Sequence, residues 1–140
     1  MEIDNNALLQ HAIKVTAKAR AVAQTRSDWE FMGYVGAALI TAEGNLYTGI
    51  NVSVNCGIGF CAEHSAVSEM IKNGETKIRR IVAATAMGAI LPPCGRCREL
   101  LFQVDASNLE TTVILEGGPK SLRDLLPHNW QDHFDKPLTR

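Results

Sequence analysis

The sequence predicts an α/β fold, a three-layer α/β/α sandwich in which helices cover both faces of a central mixed sheet. Three observations predict it. Apolar residues recur at helical spacing in separate segments, short β-rich runs lie between those segments, and Gly, Asn and Pro punctuate the junctions. Helix and strand signals that alternate in this way require a sheet with helices packed against it.

The elements follow in chain order. Leu8, Ala12, Val15, Ala19 and Val22 fall four and three apart, which predicts one face of an opening helix. The runs "VGAALIT" and "LYTGINV", joined by "AEGN", predict a hairpin turning at Gly44 and Asn45. In "CAEHSAVSEMIKNG", Ala62, Ala66, Val67, Met70 and Ile71 share one side and Asn73-Gly74 is a stop signal, so a helix is expected from Cys61. "IRRIVAATA" predicts a strand, "CGRCRELLFQV" a helix with Cys97, Leu100, Leu101 and Val104 on one face, and "TTVILEG" another strand. The tail from Pro127 carries no strong periodicity. With 140 residues, 46% of them hydrophobic, residues 1–140 are expected to form a single domain around a buried core.

Charge and hydropathy exclude several partners. The formal charge is −1 with a pI near 6.4, and the basic residues form no stripe that would hold a phosphate backbone, so no nucleic acid is expected. The first residues lack the basic-then-apolar layout of a secretory signal, and no apolar run is long enough to span a bilayer. The expectation is a cytoplasmic protein with no membrane partner. In a reducing compartment a Cys-x-x-Cys pair points first to metal or redox chemistry.

Three of the four cysteines have informative positions. In "LPPCGRCREL" two prolines precede Cys94 and Cys97, which places both thiols in the first turn of the following helix, on one face. Cys61 and Glu63 occupy the first turn of theirs, where side chains lean toward the helix start. Cys94 lies 33 positions after Cys61, room for a helix and a strand that return the chain to the same sheet edge. Three thiolates then share one metal. Soft thiolates favour tetrahedral Zn2+, and three protein ligands leave a fourth position for water, as in a catalytic site. Three anionic sulfurs weaken the metal's pull on that water, and two helix N-termini and a guanidinium can offset them. Arg96, between the two ligand cysteines, is expected to do so by donating toward a zinc-bound sulfur, with Arg98 as a weaker candidate. Core thiols, a closed structural site with His64 as fourth ligand, and a redox pair are alternative readings, the last leaving "CAE" unexplained. Cys56 reads as a loop thiol.

"CAE" at Cys61–Glu63 followed by "PCGRC" at Pro93–Cys97 resembles the cytidine deaminase family in its three-cysteine form. "VGAALITAEGNLYTGINV" is similar to the family's first hairpin, and "SLRDLLP" to its C-terminal segment. The resemblance implies a cytidine deaminase-like sandwich with Cys61, Cys94 and Cys97 as zinc ligands and Glu63 as catalytic acid/base. It implies Asn51 as a ribose contact and Ala62 at the substrate; Trp130 and Phe134 read as packing aromatics of the tail or as a lid over the substrate base. The implied reaction is hydrolytic deamination of cytidine or deoxycytidine with release of ammonia, as in pyrimidine salvage. A small pyrimidine nucleoside is the partner, and a homotetramer with interfacial active sites the assembly.

Three positions depart from the family pattern. Ser53 ends a triplet Asn51-Val52-Ser53 where Asn-x-Glu is usual, Gly33 stands where a Phe usually faces the base, with Phe31 nearby, and His64 stands where Arg usually follows Cys-Ala-Glu. Blasticidin S deaminase, a relative acting on a cytosine-bearing antibiotic, also lacks that Glu and Arg and shares "CGRC", which implies such an enzyme as the alternative. A zinc-stabilised binding module without catalysis is the contrasting class.

Overall fold

A computed structural model of the chain describes residues 2–23 and 31–134; for Phe31 and His133 only the backbone is described. The opening helix is divided in two. α1 (Asn5–Lys14), capped by Asp4 through Ala7 N–H at 2.7 Å, meets α2 (Thr16–Ala23) at Val15. The buried Thr16 hydroxyl donates back to the Ile13 carbonyl at 2.7 Å, an interaction that bends helices. The apolar face therefore does not continue: Leu8 and Ala12 are buried, whereas Val22 is 60% exposed.

The hairpin forms where predicted, from β1 (Phe31–Thr41) and β2 (Leu46–Ser53), with Ile40 opposite Leu46 and Gly44 at φ +92° in the turn. β1 starts earlier than the apolar run suggests and passes through a bulge between Met32 and Gly36. On its other side β1 pairs antiparallel with β3 (Ile78–Thr85), which runs parallel to β5 (Thr112–Val113) and antiparallel to β4 (Ile90–Leu91). β6 (Lys120–Ser121) closes the order β2-β1-β3-β5-β6. The sheet is mixed, as expected. "TTVILEG" supplies only two strand residues, because after Ile114 N–H meets the Ile81 carbonyl the chain turns at Leu115–Gly118.

Side chains alternate across the sheet with the strand period. Ala38, Ile40, Val82 and Ala84 face α1 on one side. Ala37, Leu39, Ile81 and Ala83 face the other helices: α3 (Ala62–Lys72), α4 (Gly95–Val104) and α5 (Leu122–Leu125). Fully buried anchors such as Leu8, Met70 and Leu101 each contribute roughly 1.5–3 kcal/mol through apolar burial. Two glycines let the helices approach: a Cβ at Gly36 would lie 1.8 Å from the Ala12 carbonyl oxygen, and one at Gly49 2.3 Å from Ala66 N. α3 is thereby seated backbone-close on β2, which fixes where its first turn points. No described helix is long and apolar enough to cross a membrane.

Candidate functional site

Two helix starts converge at the sheet edge. Cys61 is the N-cap of α3 and Cys94 the N-cap of α4, both with extended backbone, so each thiol sits just ahead of its helix. The loop before α3 is closed by a two-bond bridge between Val52 and Phe60, at 2.8 and 3.0 Å, which delivers Cys61 beside the end of β2. A Cβ at Gly59 would lie 2.3 Å from the Val52 carbonyl oxygen, so this return requires glycine. Cys61 Sγ lies 3.5 Å from Cys94 Sγ, and Cys94 Sγ 3.4 Å from Cys97 Sγ. The sulfurs are free thiols. Thiolates sharing one tetrahedral zinc with Zn–S near 2.3 Å stand about 3.8 Å apart, so this donor set and spacing fit Zn2+ after shifts of a few tenths of an ångström.

The thiols differ in environment. Cys97 is wholly buried; burial, and next the negative charge of Glu63, push its thiol far up. Burial likewise raises Cys61, helped by its hydrogen bond with Cys94. Burial also opposes ionisation of Cys94, but hydrogen bonds from Cys97 and Cys61 and the backbone N–H of Arg96 outweigh it, and its pKa is lowered. Glu63, 5% exposed, has Oε2 3.1 Å from Cys97 Sγ.

His64 joins this cluster. Its Nδ1 is 3.5 Å from Cys97 Sγ, and Cys61, His64 and Cys97 present ligand atoms within 4.8 Å of one another. Burial, then the nearby Arg96 charge, lowers the His64 pKa. The Arg96 guanidinium donates to the Gly59 carbonyl at 3.4 Å, and the ring beside the Cys97 sulfur belongs to His64. Arg98 is committed elsewhere, donating to the Pro93 and Leu125 carbonyls at 2.8 and 3.0 Å. Spacing marked His64 as a ligand candidate; that it meets Cys97 depended on the tertiary approach of α3 and α4.

A cavity of about 500 Å³ opens at the thiols, within the range of small-molecule sites. Cys61, Ala62, Glu63, Cys94 and Arg96 line it, as do Asn51 and Ser53 from the end of β2. Asn51 has a second task, since its Oδ1 accepts the Val35 N–H at 2.9 Å across the bulge. Gly33, at φ +71°, is pressed by α2, where an added Cβ would meet Ala19 Cβ at 2.6 Å, so this backbone leaves no room for a larger residue. The Phe31 side chain lies outside the described residues. Trp130 is not brought to the cavity lining: it begins α6 (Trp130–Phe134), its N–H donates to Glu99 at 3.2 Å, and its ring stacks on Phe134 at 4.5 Å.

Residues 5–113 match the family described as "Cytidine and deoxycytidylate deaminase zinc-binding region". The chain belongs to this deaminase family. A cytidine deaminase from Mycobacterium tuberculosis is 35% identical over 94 residues, 66% of this chain and 69% of the relative. The crystal structure of cytidine deaminase from that organism superimposes with a TM-score of 0.77 at 29% identity, covering 92% of this chain and 98% of the other. Cytidine deaminase from Mycobacterium leprae gives 0.68 at 30% identity over 85% and 97%. As a member of the cytidine and deoxycytidylate deaminase family the chain is a zinc-binding hydrolytic enzyme, with the mixed sheet and flanking helices those structures share.

Proposed function

We propose that the chain deaminates cytidine or deoxycytidine, consuming one water and releasing uridine or deoxyuridine and ammonia. One observation carries this reading: Glu63, a nearly buried carboxylate, lines a cavity beside three clustered thiols, two of them in contact with Cys94. In the proposal Cys61, Cys94 and Cys97 hold Zn2+. The ion supplies Lewis acidity that lowers the pKa of water from about 15.7 toward about 7 in such sites. Glu63 accepts a proton from the water as its oxygen adds to the amine-bearing ring carbon and passes that proton to the adjacent ring nitrogen. It then moves the proton of the added hydroxyl to the amine, which leaves as ammonia. Ala62 and Asn51 border the bound nucleoside. The cytidine deaminases to which the chain is similar support the choice of substrate.

Glu63→Gln tests the reading, because it keeps the shape and cannot shuttle protons. Zinc should stay at one ion per chain while turnover falls by roughly a hundredfold to ten-thousandfold; near-normal turnover would reduce Glu63 to a helix-start charge. Ammonia release from cytidine, measured alongside, separates an enzyme from a zinc-stabilised binding module. Ser53 in the cavity wall favours a second reading, a deaminase for a cytosine antibiotic such as blasticidin S, which the same assay distinguishes. A cytoplasmic homotetramer folded as one domain per chain is the proposed working form. Exposed Ile58, Met87, Trp130 and Phe134 offer apolar surface for its contacts, and sedimentation is the check.

A further inference from the structure

The three thiols differ in access as well as in partners. Cys94 is exposed in the cavity wall, Cys61 is half-buried and Cys97 is wholly buried. Cys94 Sγ touches both others, 3.4 Å from Cys97 and 3.5 Å from Cys61. Cys97 Sγ also has Glu63 Oε2 at 3.1 Å, so a thiolate at this position stands inside the fold against a carboxylate. A metal ion offsets that pairing of like groups; without one, two buried negative charges are left in contact at large cost. A neutral bond between Cys94 and Cys97 removes the conflict.

We propose that Cys94 and Cys97 are a reversible oxidation site for hydroperoxides, closing to a disulfide that releases zinc and stops the enzyme. A small peroxide entering the cavity of about 500 Å³ meets the Cys94 sulfur first. The Cys94 thiolate attacks one peroxide oxygen and the O–O bond breaks, leaving a sulfenic acid on Cys94 and one hydroxide. The Cys97 thiolate then attacks the Cys94 sulfur, the S–O bond breaks, and a second hydroxide leaves. Two thiolates and one hydrogen peroxide thus give one disulfide and two hydroxides, with two electrons passing from sulfur to oxygen. Cys97 is the partner because it lies three residues on, at the start of the same helix, where side-chain rotation closes 3.4 Å to the roughly 2.05 Å of a disulfide. Cys61 belongs to α3, which Gly49 seats against the hairpin backbone, so a bond to it would pull on two anchored helices. A Cys-x-x-Cys pair at a helix start is a recurrent redox geometry. Once it closes, Cys61 is the one thiolate left of the three, too few to hold zinc. The bond rests on the thiol contacts alone; its effect on turnover rests on the deaminase reading.

The experiment adds hydrogen peroxide to the zinc-loaded enzyme carrying Cys56→Ser, which removes the exposed loop thiol. Zinc released to a chromogenic chelator, intact mass and turnover of cytidine are followed together. Each chain should lose two hydrogens as its zinc leaves, and turnover should fall in step by roughly tenfold or more. Trypsin cuts after Arg96, between the two sulfurs, so the bond should appear as two peptides that part on reduction, with Cys61 open to alkylation. A thiol reductant with added zinc should restore the mass and the turnover. Adding Cys97→Ser should halt the reaction at a Cys94 sulfenic acid, trapped by a 1,3-dione, which further peroxide carries to a sulfinic acid that the reductant does not reverse. If that variant fails to fold, the peptide map of its parent still decides. A bond between Cys61 and Cys94, sulfinic acid on Cys94 with no disulfide before it, or three thiols that survive peroxide able to oxidise free glutathione overturns this inference. Zinc release with the Cys94–Cys97 bond, in a protein that never turned cytidine over, sinks the deaminase reading and leaves the oxidation site standing.

Discussion

Cys94 and His64 approach the same sulfur from different helices, and their substitutions should part ways. Cys94 touches both other thiols, at 3.5 and 3.4 Å, and its ionised form is favoured by N–H groups of its own helix start. Removing it leaves two thiols, too few to hold zinc open for catalysis. Cys94→Ala should therefore lose zinc and activity, and its melting temperature should match that of chelated wild type, because metal binding and folding are coupled. His64 Nδ1 stands 3.5 Å from Cys97 Sγ, with a ligand atom of Cys61 within 4.8 Å. His64→Ala should keep one zinc per chain in metal analysis; zinc lost from this variant would make His64 a ligand and the site a closed structural one.

At the scale of elements, the site depends on how closely α3 lies on the hairpin. A Cβ at Gly49 would meet Ala66 N at 2.3 Å and the Ala62 carbonyl oxygen at 2.6 Å, both backbone atoms that cannot rotate aside. Gly49→Ala should cost about 1–3 kcal/mol or more in denaturant unfolding, as overpacking does, and should lower activity by moving Cys61 and Glu63 together. An unchanged unfolding midpoint would show that the helix yields freely. Much of this level was legible: period and punctuation located α3, α4 and the hairpin, and the proline pair placed Cys94 and Cys97. The break at Val15 was not, since it follows from a Thr16 hydroxyl bond that apolar spacing does not encode. The shortness of β5 escaped for a similar reason, because "TTVIL" is β-prone throughout and only the turn at Leu115–Gly118 ends the pairing. At the site, ligand spacing was readable along the chain, whereas the turn of Arg96 toward Gly59 and the seat of Trp130 on Glu99 depend on contacts between distant segments.

Across the whole molecule, hairpin and helix layers are tied together on Glu75. This carboxylate, 7% exposed just beyond α3, accepts from Tyr47 Oη at 2.7 Å and Asn45 Nδ2 at 3.1 Å. Hydrogen bonds from Thr41 and then Tyr47, opposed by burial, hold its pKa below the ordinary 4.5. The Tyr47 phenol is pushed up to about 12 by the same bond and by burial. A depressed carboxylate stabilises the fold fully above its unfolded pKa, and that stability is lost as pH falls through the folded value. A raised phenol behaves oppositely, its contribution complete below its ordinary 10 and lost as pH rises through about 12. Wild-type stability should thus fall below about pH 4.5 and again between 10 and 12. Glu75→Gln keeps the shape but removes the charge, so it should cost about 1.5–3 kcal/mol at neutral pH, in line with bonds to charged groups. Its stability should also change less across both windows. Chemical unfolding followed from pH 3 to about pH 12 measures this, and parallel pH profiles for the two proteins would place the acid and alkaline transitions in other groups.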